Sequence, residues 1–359
     1  MIRFRLPIAF LALIAALSLQ NDRTLAQETE ATPVNTAGFL VTNQGYREFN
    51  GFSVPTTAEV AFQTASISTQ SESALTYLVD VEVDRSNNNL YGLFSESGVS
   101  NPFETPTQLQ RISLTSGESE IIFEQAGAID TALSPSSDEA AITYYQHGVS
   151  GAELATCILS FSDSVCTPLN VRIAFGAQWI SSNSLLLSSQ YPNSLIVANT
   201  RDGSIRSLSG LDSWLISAVA IVPSSNTLLV TGSRITTEEG FHPDQVLTYD
   251  LSTETASLHS YQPSSLDYIQ SSLLEVTPDG RYFVVGNTQK VSVVEMDTGR
   301  ILGELDGITH VSWFSNSQHL LAVEVVGLGN VSIIRFDLAT ATTTTLLSNQ
   351  TEVPLPIAP

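Results

Sequence analysis

Thr277 to Gly307 reads TPDGRYFVVGNTQKVSVVEMDTGRILGELDG. Three short apolar runs, RYFVVG, KVSVVEM and RILGEL, are separated by the polar clusters TPDG, NTQ and DTG. Runs of this length, with this punctuation, are strands joined by tight turns. A fourth run, SSLLEV, lies just upstream. The stretch is expected to supply the middle and outer strands of a four-stranded antiparallel meander whose inner strand is SSLLEV.

The Pro278 turn has relatives along the chain. They are SPSSDEAAITY at Pro135, ISSNSLLLSS at Ser181, VPSSNTLLVTG at Pro223, FSNSQHLLAVE at Ser315 and, more divergent, VDRSNNNLYGL at Arg85. Two residues before these six anchors stand Val83, Leu133, Trp179, Ile221, Val276 and Trp313, all apolar. A second motif alternates apolar and polar residues into a turn, ending near Ser113, Ser160, Asn199, Asp250, Glu295 and Asp337. Recurrence roughly every 40–45 residues, with four short strands per unit, is the signature of a β-propeller blade. One meander cannot bury both of its faces, whereas sheets stacked radially cover one another. The expected fold is therefore all-β, a propeller of seven blades (six is the alternative). Six units occupy Ser73 to Ser348. Residues 37–70 either form a degenerate seventh blade or supply strands that close the ring together with the C-terminal segment. The expected domain spans 37–348, between flexible segments at 27–36 and 349–359.

The turn TPDGRYFVVGN with VSVVEMDTGRILGEL resembles the YVTN/WD40-like repeats of bacterial secreted propellers, of the lactonase-like and TolB-like groups. Thr277, Pro278, Asp279 and Gly280 match the usual Ser-Pro-Asp-Gly turn, and Asp297, Thr298 and Gly299 match its hairpin partner, one residue shorter. The chain carries no Trp-Asp dipeptide, which true WD40 repeats have. The resemblance covers most of the chain after its leader and is specific in the fifth unit. It implies a propeller and no particular activity.

Residues 1–26 read as a secretory signal peptide: a basic start at Arg3 and Arg5, an apolar run from Leu6 to Leu19, and a small-residue cleavage site ending at Ala26. The run is shorter than a membrane span requires, and no later segment is long and apolar enough for one. The protein is thus expected in the periplasm or outside the cell. The formal charge of −22 becomes about −24 once the leader is removed, and Lys290 is the single lysine. A field of that sign repels phosphate backbones, which excludes nucleic acid as a partner class. Cys157 and Cys166 flank a Ser/Asp-rich turn, within reach of a hairpin disulfide in an oxidising compartment. A turn centred on Phe161-Ser162 is expected to set them opposite each other.

Catalytic motifs are absent: there is no Gly-x-Ser-x-Gly elbow, phosphate loop, His-Glu-x-x-His pair or EF-hand calcium loop. Two groups of polar residues are candidates for binding. In EEGFHPDQ, Glu238, Glu239, His242 and Asp244 occupy a loop insertion in the fourth unit and are able to gather a cation. In the inner strands, the position three before the anchor reads Glu82, Ala132, Gln178, Ala220, Glu275 and Ser312, always polar or small. The position five before it includes Asp80, Asp130 and His310. Period-two alternation turns one set toward the axis and the other between blades. Asp80, Glu82, Asp130, Gln178, Glu275 and His310 are therefore expected to line the channel. They would form a site for a divalent cation such as calcium, or for a small polar ligand, unless they merely line a water-filled channel. The expected function is a non-catalytic scaffold that binds a protein or small ligand. The alternative is a lactonase-like or other hydrolytic enzyme with an axial site. Asn330-Val331-Ser332 and Asn349-Gln350-Thr351 are glycosylation sequons, relevant only in a eukaryotic secretory pathway.

Overall fold

The computed structural model describes residues 38–41, 45–49, 60–61, 76–96, 104–148, 151–169, 171, 175–190, 193–235, 244–262, 273–327, 330–350 and 355–357. All lie within one compact unit, Ala37–Pro359. The leader at 1–26 falls outside them, as does the segment 27–36. Every regular element described is a strand.

Six contiguous four-stranded antiparallel meanders occupy 76–124, 128–168, 175–207, 214–258, 273–306 and 308–350. In each, the first strand is innermost and the fourth outermost. The unit quoted first is typical: Leu273–Val276, Tyr282–Gly286, Lys290–Glu295 and Ile301–Asp306, in that order across the sheet. The anchors fall at the turns between first and second strands, and these turns repeat in detail. Ser134, Thr277 and Phe314 each donate an N–H across the turn, to Glu139, Tyr282 and His319, and Ser137, Gly280 and Ser317 take left-handed φ values of 54°, 71° and 54°. At Gly299, φ is +70° and a Cβ would stand 2.4 Å from the Tyr261 nitrogen, so the Asp-Thr-Gly hairpin seats against the preceding blade only with glycine.

Packing follows from the alternation. The apolar residues two before each anchor all join clusters between adjacent sheets. Trp179 packs with Leu185 and Ile158, Val276 with Phe283 and Leu229, and Trp313 with Val284 and Phe336. Each middle strand is buried on both faces, as in Leu228-Leu229-Val230, all fully enclosed. Such strands read as continuous apolar runs.

The described residues of the segment 37–70 share a sheet with the C-terminal segment. Strands Gly38–Val41, Gly45–Phe49 and Val60–Ala61 join Leu355–Ile357 in a composite sheet, with the C-terminal strand first in order. This corrects the expectation of a C-terminal tail at 349–359. The prolines of VPLPIAP argue against a central strand, but Leu355–Ile357 is an edge strand. Leu40 faces Pro356 on its single paired side, and the missing N–H is tolerated there. Leu355–Ile357 touches both Ile308–Trp313 and Thr76–Asp84. First strands also touch in sequence from Thr76–Asp84 through Ile308–Trp313, so the contacts run full circle.

Cys157 and Cys166 are bonded, with Cα atoms 5.5 Å apart. They are not directly opposed: Cys166 faces Leu159, and Cys157 faces Pro168. The turn occupies the four residues between Ser160 and Val165, with Ser164 left-handed, so its centre lies one residue beyond Phe161-Ser162 and the partner of Cys157 moves two residues, from Cys166 to Pro168. The bond is therefore diagonal across the pair. Its loop is short, with a sequence separation of 9. Replacing both cysteines by serine should cost at most about 3 kcal/mol in urea unfolding and leave the β-type circular dichroism unchanged. Loss of the β spectrum in that variant would show the bond to be essential to the fold.

Candidate functional site

The inner strands carry the candidate site, and a local irregularity aims its side chains. Register shifts interrupt five of them, at Leu78/Asp80, Ala128/Asp130, Phe175/Gln178, Ile216/Ala218 and Ile308/His310. Bulges redirect the side chains beside them. An innermost strand also has one edge with no strand partner, so its outward N–H and C=O groups need other partners.

Side chains of the preceding blade supply some of them. Asp80 Oδ2 accepts from the Thr131 N–H at 2.8 Å, and Asp80 Oδ1 from the Val81 N–H at 2.9 Å. Asp130 bonds in the same way to the main chain of Ala177 and Thr131. Gln178 Nε2 donates to the Val219 carbonyl at 2.8 Å. Thr131, Ala177 and Val219 are equivalent positions, four before the anchor in successive units. In the opposite direction, Trp179 Nε1 donates to the Ala132 carbonyl at 2.9 Å. These side chains thus stitch the first four inner strands to one another.

Electrostatics show which candidates meet. Asp80, Glu82 and Asp130 interact with one another across two blades. Burial raises the Glu82 carboxyl well above its ordinary range, and the charges of Asp80 and Asp130 add to the shift. Burial and the Asp80 charge raise Asp130 to about 7. Burial also raises Asp80, opposed by the N–H groups of Thr131 and Val81. Asp130 Oδ2 is enclosed without a hydrogen-bond partner. All three residues are surrounded by protein yet only half-buried by accessible surface, which is the state of a channel lining. Glu275 is raised to about 8 by burial, with no contribution from a carboxylate among the described residues. Burial lowers His310, whose Nδ1 lies 3.2 Å from Thr309 Oγ1. The six axial candidates therefore resolve into one carboxylate trio and three separate polar residues.

Of the loop quartet, Glu238, Glu239 and His242 lie outside the described residues, and Asp244 is buried. Among the described residues, no group of three or more His, Cys, Asp and Glu is arranged to hold a metal ion. An open polar depression of about 440 Å³ lies on the first blade, lined by Asn89, Arg111, Ser113, Glu118, Ser119 and Glu120, and its guanidinium is paired with Glu120. The stitching bonds had no distinctive signal in one sequence. Asp at position minus five recurs in only two units, and the backbone donors it serves carry no sequence mark.

No family model and no curated protein sequence matches the chain. Solved structures do. The WD40 repeats of RRP9 align over 77% of this chain and 81% of theirs, at 12% identity and TM-score 0.54. TolB from Acinetobacter baumannii aligns over 78% and 68%, at 14% identity and TM-score 0.51. Prolyl oligopeptidase B from Galerina marginata aligns over 88% of this chain but half of its own, at 13% identity and TM-score 0.61. The fold is a β-propeller. Its blades are four-stranded and antiparallel, and likeness at these identities establishes the propeller architecture alone.

The axial carboxyls make the propeller's stability depend on pH. A carboxyl raised in the folded state stabilises it while neutral. That contribution is complete below the unfolded pKa and is lost as pH rises through the folded value. For Asp130 and Glu275 the loss runs from about pH 4 to about 7 and 8. The thermal midpoint should fall between pH 5 and pH 9, and Glu275→Gln, neutral throughout, should flatten the fall. An equal slope in that variant would show that Glu275 ionises freely in the folded protein.

Proposed function

We propose that this chain is an exported, non-catalytic propeller that binds a protein partner on one of its two faces. The observation that carries the reading is the inequality of the faces. On one face the turns between first and second strands, and between third and fourth, are short and fixed by left-handed residues such as Ser137, Ser164, Gly203, Glu254 and Ser317. The opposite face, at which the second strands end, carries the exposed Leu215, Ile235, Val325 and Val326. Large apolar residues left in water on a rigid scaffold mark an interaction face. Export rests on the leader and fits the cystine Cys157–Cys166. We further propose that the composite sheet acts as a seventh blade. The contacts of Leu355–Ile357 with the first and sixth blades support this count. Leu215→Ser/Ile235→Ser/Val326→Ser should abolish stoichiometric co-purification of a partner from the periplasmic or extracellular fraction. A control, Thr115→Ala/Thr253→Ala on the tight-turn face, should retain it. Loss in both variants, or in neither, refutes the assignment of the face.

A second reading is favoured by the unpartnered Asp130 Oδ2: a small polar ligand hydrogen-bonded to the axial carboxyls. Thermal-shift screening with neutral polyols and sugar lactones should then give an upward shift in wild type that Asp130→Ala lacks. No shift in wild type, or the same shift in Asp130→Ala, removes this reading.

A further inference from the structure

The outermost strand of every blade has a free edge, which is a template for pairing with another chain unless something blunts it. Five of the six contiguous blades are blunted. Ser119–Glu124 exposes Glu120 and Glu124, and Ile301–Asp306 exposes Glu304 and Asp306. Val165–Pro168 is four residues long, ends in proline and is pinned by the disulfide. Ile205–Ser207 has three residues, with Arg206 exposed, and Thr255–Leu258 has four. The sixth, Thr342–Gln350, reads TTTTLLSNQ over nine residues with no charge and no proline. Its pairing with Asn330–Asp337 is regular from Thr342 to Thr345, and the register shifts come only after that. Thr342, Thr343, Thr344 and Thr345 are all exposed.

We propose that Thr342–Thr345 is a dimerisation edge, pairing antiparallel with the same strand of a second copy of this chain. Two features favour a second copy. A two-fold interface sets each group against its own equivalent, and a threonine hydroxyl both donates and accepts, so a run of threonines is self-complementary. Cross-strand Thr–Thr pairs are favourable. The chain as a whole carries −22, so two copies repel wherever carboxylates meet, and from Leu338 to Thr351 there are none. With the two-fold axis at Thr344, residue 344 faces its own equivalent in the partner and 343 faces 345, so that paired residues share a face of the joined sheet. Four residues bury less than a standard interface, so the dimer is weak and concentration-dependent.

Sedimentation velocity of the full chain from micromolar to near-millimolar concentration tests this. Wild type should pass from monomer to dimer, more readily in high salt, where repulsion between like-charged copies is screened. Thr343→Lys/Thr344→Lys, on an exposed strand, should stay monomeric at every concentration with an unchanged thermal midpoint. If the lysines disturb folding, Thr344→Cys reports instead: oxidation should give a cross-linked dimer through that position. A wild type that stays monomeric throughout, a lysine variant that dimerises equally, or a Thr344→Cys protein that fails to cross-link overturns the proposal.

Discussion

Everything in this propeller depends on the fact that its sheets are apolar on both faces. A middle strand such as Leu228-Leu229-Val230 has no side that can meet water, so each sheet must be sandwiched between two others. A stack of such sheets ends only by closing on itself. That requirement explains why the residue two before each anchor is apolar in all six units. It also explains why the first strands touch around a full circle and why Leu355–Ile357 returns to stand beside Gly38–Val41. The tight turns follow from the same geometry. Successive sheets sit close enough that Gly299 meets the Tyr261 backbone, leaving no room there for a longer connection or a side chain.

Face-to-face packing leaves the edges unsolved, and the chain treats its two kinds of edge differently. At the axis, unpaired backbone groups meet side chains of the neighbouring blade: Asp80 on Thr131, Asp130 on Ala177, Gln178 on Val219. At the rim there is no neighbour, and water, charge and brevity serve instead. An acidic side chain at the axis is thus enclosed and bonded, while one at the rim is solvated and repels strands from other molecules. The same residue type has opposite burial and protonation in the two places.

These two levels differ in how far the sequence reveals them. Apolar patterning is a property of single strands, so the repeat, the strand order within each blade and the fifth unit's turns were all readable from one chain. The centre of a hairpin turn was readable only to within one residue. The cystine is real, but Cys166 faces Leu159 because the turn after Ser160 takes four residues centred one step further on. The strand Leu355–Ile357 was hidden because its prolines are tolerated at a free edge. Polarity at the axis was legible at Glu82 and Glu275, yet their grouping was not. It depends on which blades are neighbours and on bulges that no sequence motif marks. Hence Glu82 meets Asp80 and Asp130, while Glu275, at the equivalent position, meets no carboxylate among the described residues.

The grouping also changes what the acidic composition means. A formal count treats every carboxyl as ionised, Asp80, Glu82, Asp130 and Glu275 included. Enclosure works against that count. Desolvation penalises the charged form, each ionised carboxylate raises the cost of the next, and the backbone N–H groups of Val81 and Thr131 favour charge chiefly on Asp80. Desolvation therefore weights these carboxyls toward their neutral forms, and the axis carries less charge than a formal count of its residues implies. The strong negative field belongs to the solvated surface, where carboxylates such as Asp138 and Asp202 stay in water. A basic group approaching from solution meets that field first, whereas the exposed Leu215, Ile235 and Val326 offer apolar contact only at close range.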